Sequence, residues 1–155
     1  AVSGGLKVGV TRHTQIPQRW IDQGASEALQ IAKTQNRYLA GTIEVALKNI
    51  LSDKTNWRNM LMNKSNKDIN LVEEKEKALK YLHNDFRKFA LKEDLITKIS
   101  YPVLNYPKKV KSINFDNTDF VEGILIGIKG QYFIFESGNI LNIRKHNGYL
   151  VKIEL

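Results

Sequence analysis

No cysteine occurs in the 155 residues, so a disulfide framework and a thiolate zinc site are both excluded. A reducing cytoplasm fits that absence. Histidine is scarce: His13, His83 and His146 are too scattered along the chain for a metal site. No apolar run approaches the roughly 20 residues needed to cross a bilayer; the longest, 123–128 and 132–135, are the size of strands. Neither a Ser/His/Asp arrangement nor a Gly-x-Ser-x-Gly run is present, and Gly127-Ile128-Lys129-Gly130 has no phosphate-loop spacing. No signal peptide is visible. Internal repeats and low-complexity tracts are also missing.

Acidic residues are in deficit: 16 Asp and Glu against 24 Lys and Arg leave a net charge of +8. The excess is uneven, with +5 in residues 1–65, +1 in 66–100 and +2 in 101–155. A basic surface concentrates polyanions, which makes nucleic acid the first partner to test. Apolar residues at 42% and charged residues at 26% describe an ordinary globular chain.

The chain opens Ala1-Val2-Ser3-Gly4-Gly5, the tail of one strand and a glycine turn into a second, as though a first hairpin strand were missing. Residues 6–11 place Leu6, Val8 and Val10 on one side of a strand. Pro17 suits the first position of a short helix through Gln23, which Gly24 stops. Residues 26–33 read as a further strand, with a helix as competitor. Residues 38–51 carry apolar side chains at three- and four-residue spacing, an amphipathic helix capped by Thr34 or Asn36. A cap-rich loop over 52–56 leads into a short helix over 57–62. Polar residues 63–70 suit a boundary. Residues 71–91 predict one long helix with Leu71, Leu79, Leu82, Phe86 and Phe89 on one side and Glu73/Lys77 and Glu76/Lys80 as i,i+4 pairs. From Tyr101 the period becomes that of strands, at 110–115, 123–127, 131–136, 139–144 and 149–153, a small antiparallel barrel or curled sheet. The fold class expected is therefore α+β: a domain over 1–65, a linking helical segment over 66–100 and a small β-barrel-like module over 101–155.

The chemistry concentrates near the start. Leu6-Lys7-Val8-Gly9-Val10 is a strand; Arg19 follows on the first turn of the next helix, where a guanidinium can grip phosphate oxygens bidentately. Glu44 sits in mid-helix, and one carboxylate can share a hydrated Mg²⁺ that keeps most of its waters. It can equally pair with Lys48 one turn on. Trp20 beside Arg19 and Trp57 beside Arg58 can each stack a base or fill a core, with core favoured.

In this order Lys7-Val8-Gly9 resembles the second strand motif, Tyr-Ile-Gly, of the GIY-YIG nuclease superfamily. Arg19 is similar to its helical arginine and Glu44 to its metal-binding glutamate, over about residues 1–63. The runs Arg19-Trp20-Ile21-Asp22-Gln23-Gly24-Ala25, 52–58 and Gly127-Ile128-Lys129-Gly130-Gln131-Tyr132 resemble, across nearly the whole chain, an uncharacterised bacterial family with a divergent domain of this kind. The resemblance implies a metal-dependent phosphodiesterase site, with Mg²⁺ or Mn²⁺ as cofactor if catalysis survives. It also implies tyrosines that orient the attacking water. Here Lys7 stands where one of them would be, and a protonated lysine is a poor base. His13, in the loop after the strand, is the substitute; Asn56 or Asn63 matches the family's late asparagine.

Catalytic candidates are thus Arg19, Lys7 and His13, with Glu44 for metal. Arg12, Arg37, Lys54 and Arg58 near the motif are candidate nucleic-acid contacts. So are Lys129, Arg144 and Lys145 in the β-module, where Tyr132 and Tyr149 can line a face for a single strand. The expectation is a cytoplasmic nucleic-acid-binding protein with a divergent site. A divalent-metal endonuclease is the first alternative and a protein-interaction scaffold the second.

Overall fold

A computed structural model of the chain describes residues 1–64 and 69–154. The class is mixed α+β, with two small sheets. Five helices precede most of the strands: α1 (Gln18–Asp22), α2 (Arg37–Leu47), α3 (Trp57–Leu61), α4 (Leu71–Tyr81) and α5 (Asn84–Arg87). Six strands follow the order β1 (Glu27–Leu29), β2 (Ile96–Lys98), β3 (Lys111–Ile113), β4 (Leu125–Lys129), β5 (Tyr132–Phe135) and β6 (Asn139–Asn142). Among the described residues no helix is long and apolar enough to cross a membrane.

The opening hairpin forms, but only as bridges. Val2 pairs antiparallel with both Leu6 and Glu27, and Lys7 N–H donates to Ala1 O at 2.9 Å. The strand expected over 6–11 is held at Lys7 by a parallel bridge to Ser52 and by Val8 N–H to Ser52 O at 2.8 Å. Past Val8 it has no ladder among the described residues, since no backbone hydrogen bond reaches residues 9–11 from a neighbouring segment. Pro17 sits one position earlier than expected, as the cap residue of α1 after a cis Ile16–Pro17 bond. Gly24, at φ +67°, lets the chain reverse after α1.

α2 is capped by Asn36, whose Oδ1 accepts from Leu39 N–H at 2.9 Å. Its Ile43 and Leu47, one turn apart, pack with Val8 of the hairpin and Ala78 and Leu82 of the α4 face. The long helix expected over 71–91 is two helices. His83-Asn84-Asp85 is a run of capping residues, and His83 Nδ1 accepts from Asp85 N–H to begin α5. Arg87 then reaches back to the Leu82 and Lys80 carbonyls at 2.8 and 2.6 Å, satisfying acceptors that the break leaves open. Lys77 pairs with Glu74 at 2.6 Å rather than with Glu73.

The C-terminal module is an open four-stranded sheet in the order β3–β6–β5–β4, not a barrel. β4, β5 and β6 form an antiparallel meander, whereas β3 joins β6 in parallel. β3 and β4 therefore remain at opposite ends, and closure does not occur. The strand expected over 149–153 does not form; Leu150 and Ile153 are exposed and offer no apolar face to pack. β2, which the sequence reading passed over, pairs antiparallel with β1 in the register Glu27↔Lys98. Packing also crosses the expected segment limits of 1–65, 66–100 and 101–155. Val8 shares a core with Ala78, and Met60 and Leu61 share another with Ile134 and Ile140.

Candidate functional site

Lys7, Gly9, His13, Arg19 and Glu44 line one cleft of about 250 Å³. They reach it from four places in the chain: the segment of the bridged hairpin (Lys7 and Gly9), the short 3₁₀ turn His13–Gln15, the first turn of α1, and the middle of α2. The cleft runs between the segments that follow Leu6 and Glu27, so it continues the line of Val2, which bridges both. Its deeper wall is apolar, formed by Leu29, Ile31, Ile43 and Ala78.

Lys7 is 8% exposed although it carries an ammonium. Its Nζ donates to Thr55 Oγ1 at 2.9 Å. Burial lowers its pKa below the ordinary lysine value; the Asp53 carboxylate opposes this, Arg19 adds to it and Glu44 opposes it. Those electrostatic couplings tie the three expected residues together. Lys48 turns to Asp53 at 2.9 Å, and among the described residues no cation lies within 4.0 Å of the Glu44 carboxylate. Glu44 Oε1 stands 4.0 Å from where a Gly9 Cβ would be, an ordinary contact distance, so the carboxylate lies against the Gly9 backbone segment. His13 is exposed at the rim and Arg19 is half-buried.

The other candidates are dispersed. Arg12 and Arg37 are exposed, ahead of the 3₁₀ turn and at the start of α2. Lys54 is exposed in the loop beside Lys7; Arg58 lies over the Trp57 ring, 4.3 Å from its centroid. Asn56 caps α3 through its side chain, and Asn63 faces Lys129. Lys129 is not a surface charge: it is 3% exposed, its Nζ sits over Tyr101 and Tyr106 at 5.4 and 4.8 Å, and Asn63 Oδ1 is 3.5 Å away. Arg144 and Lys145 are exposed on the 3₁₀ turn Ile143–His146, distant in topology from the cleft.

Sequence reasoning missed the packing role of Thr55 and the burial of Lys75, which also lines the cleft and donates to Asp94 at 2.6 Å. The signal for Lys75 was its place four residues after Leu71 and three before Ala78, on the apolar side of α4.

Among the described residues no group of three or more His, Asp or Glu side chains could hold a metal ion. The cleft is lined by two carboxylates, Glu44 and Glu74, and by four cationic side chains, Lys7, Arg19, Lys33 and Lys75. That donor set fits a hydrated ion recruited together with phosphate oxygens, not one held by protein alone.

No curated protein and no solved structure matches the chain. A family model described as "Protein of unknown function (DUF2797)" matches residues 1–151, and the chain belongs to that family.

Proposed function

We propose that the chain is a nucleic-acid-binding protein whose cleft holds a phosphodiester through Arg19 and Lys7, in a divergent GIY-YIG-like setting. The observation that carries this reading is the convergence of Lys7, His13, Arg19 and Glu44 on one cleft. A guanidinium and an ammonium there suit an anionic, bidentate ligand. The succession of bridged hairpin, α1, β1 and α2 agrees with the strand–helix–strand–helix order of the superfamily. The net charge of +8 supports attraction of a polyanion.

Binding without cutting is the better supported reading. Lys7 stands in place of a tyrosine and is already engaged with Thr55, and His13 is an exposed rim residue. A second reading, metal-dependent cleavage, rests on one observation, the Glu44 carboxylate lining the cleft with no cation within 4.0 Å of it among the described residues. Glu44 would hold Mg²⁺ or Mn²⁺ there, and such an ion would supply charge neutralisation at the phosphate.

A salt series of oligonucleotide binding, followed by fluorescence anisotropy, tests the first reading. Affinity should fall steeply with salt, and Arg19→Ala should reduce the slope by about one. A flat salt response would favour a protein-interaction scaffold. Incubation of labelled substrate with Mg²⁺ or Mn²⁺ tests the second: cleavage abolished by Glu44→Ala would install it, and cleavage that survives both Glu44→Ala and Arg19→Ala would sink it.

A further inference from the structure

The segment 52–58 leads from the cleft to a stacked set of side chains on the β-module. It starts beside two residues that line the cleft: Ser52 O accepts from Val8 N–H, and Thr55 Oγ1 accepts from the Lys7 ammonium at 2.9 Å. Two residues on, the Trp57 ring stacks against Tyr132 of β5, with centroids 6.2 Å apart and planes 15° from parallel. Both rings are partly buried against Met60, Leu61, Ile134 and Ile140, which fixes them. Arg58 then lies over Trp57 at 4.3 Å. Among the described residues no carboxylate lies within 4.0 Å of the Arg58 guanidinium, and Arg58 is exposed.

We propose that single-stranded nucleic acid leaving the cleft stacks a base on the Arg58 guanidinium, which the rigid Trp57–Tyr132 pair supports. This rests on the reading of the cleft as a phosphodiester site. The chemistry is specific to unpaired bases. An exposed guanidinium held against an indole keeps part of its surface in water, where a nucleobase π-face can cover it, and every base offers such a face. Bases inside a duplex already stack on their own neighbours and present only edges. The exposed Lys54 stands next to Thr55, the partner of Lys7, and four residues before Arg58, so its ammonium is the candidate contact for the connecting phosphate. An arginine suits this place because its planar guanidinium can also stack on a base, which a lysine ammonium cannot do.

Arg58→Lys tests this directly, because it keeps the charge and removes the plane. Anisotropy titrations would use three probes: a single strand of about 12 nucleotides, the same strand with abasic positions, and the corresponding duplex. The variant should lose about five-fold in affinity for the base-bearing strand and change by less than about two-fold for the other two. An equal loss on all three probes, or no loss on any, overturns the stacking proposal while leaving the cleft reading intact, provided Arg19→Ala weakens all three. Wild-type protein that binds none of the probes, or Arg19→Ala protein that binds them undiminished, overturns both.

Discussion

Replacing Lys129 with methionine should make the protein more stable at neutral pH, and the gain should shrink as the pH rises. The amine is 3% exposed, with two tyrosine rings and one amide oxygen at 3.5 Å as its surroundings. Burial pushes its pKa down from 10.5 to about 8. Above about pH 8 the folded state therefore holds a neutral amine, while the unfolded chain keeps its proton until about 10.5. The unfolded state binds more protons throughout that window, so this residue's contribution to stability rises with pH across it. At about 1.4 kcal/mol per pH unit the ceiling is about 3 kcal/mol, and screening of the amine reduces the expected change to about 1–2 kcal/mol. Methionine matches the stem and carries no charge to desolvate. Urea unfolding followed by tryptophan fluorescence, on both chains between about pH 7 and about pH 9.5, measures the difference. Lys7 is remote and cancels, and burial raises the Tyr101 and Tyr106 phenols, which keeps them protonated in both folded chains over this range. A stability difference that stays constant across the range would refute the argument that Lys129 is charged at a cost in the fold.

Two other positions carry sharp expectations. Gly4→Ala should cost at least about 2 kcal/mol in thermal or urea unfolding, because Gly4 is at φ +67° and a Cβ there would run into the Asn56 carbonyl and lie 2.6 Å from Met60 N; a neutral result would mean that α3 does not press on the hairpin turn. His146→Ala should cost about 1–3 kcal/mol, since His146 Nε2 accepts from Phe115 N–H at 3.1 Å and the substitution leaves that donor unpaired; loss of protection of the Phe115 amide in hydrogen exchange is the direct reading.

The sequence reveals the elements whose signals are local. Asn36 and the Ile43/Leu47 spacing mark α2 because a cap and a 3.6-residue period are properties of one segment. Lys7, Arg19 and Glu44 each sit at a defined point on their own element, but their sharing one cleft is a long-range outcome that no single segment shows. What failed was pairing at a distance. β2 is three residues long and exists because Glu27–Leu29 lies beside it, nearly 70 residues back in the chain. β3 gave no hint that it would join β6 in parallel, which is the step that keeps the module open. Burial of Lys129 was equally hidden, because alternation in β4 marks the side it faces but not the tyrosines waiting there. The break at Leu82–His83 was readable and overridden by the amphipathic run on both sides of it.

The central claim is that the cleft grips a phosphodiester through Arg19 and Lys7, with Glu44 lining the same cleft. Its most direct test is the affinity of Arg19→Ala and Glu44→Gln proteins for one single-stranded oligonucleotide at low salt with EDTA present. A charge-assisted contact of about 1.5–3 kcal/mol predicts a loss of about ten-fold or more for Arg19→Ala. Removing the negative charge in the same cleft should leave Glu44→Gln binding unchanged or tighter. Affinities equal to wild type for Arg19→Ala, or a loss for Glu44→Gln as large as the loss for Arg19→Ala, would contradict the account.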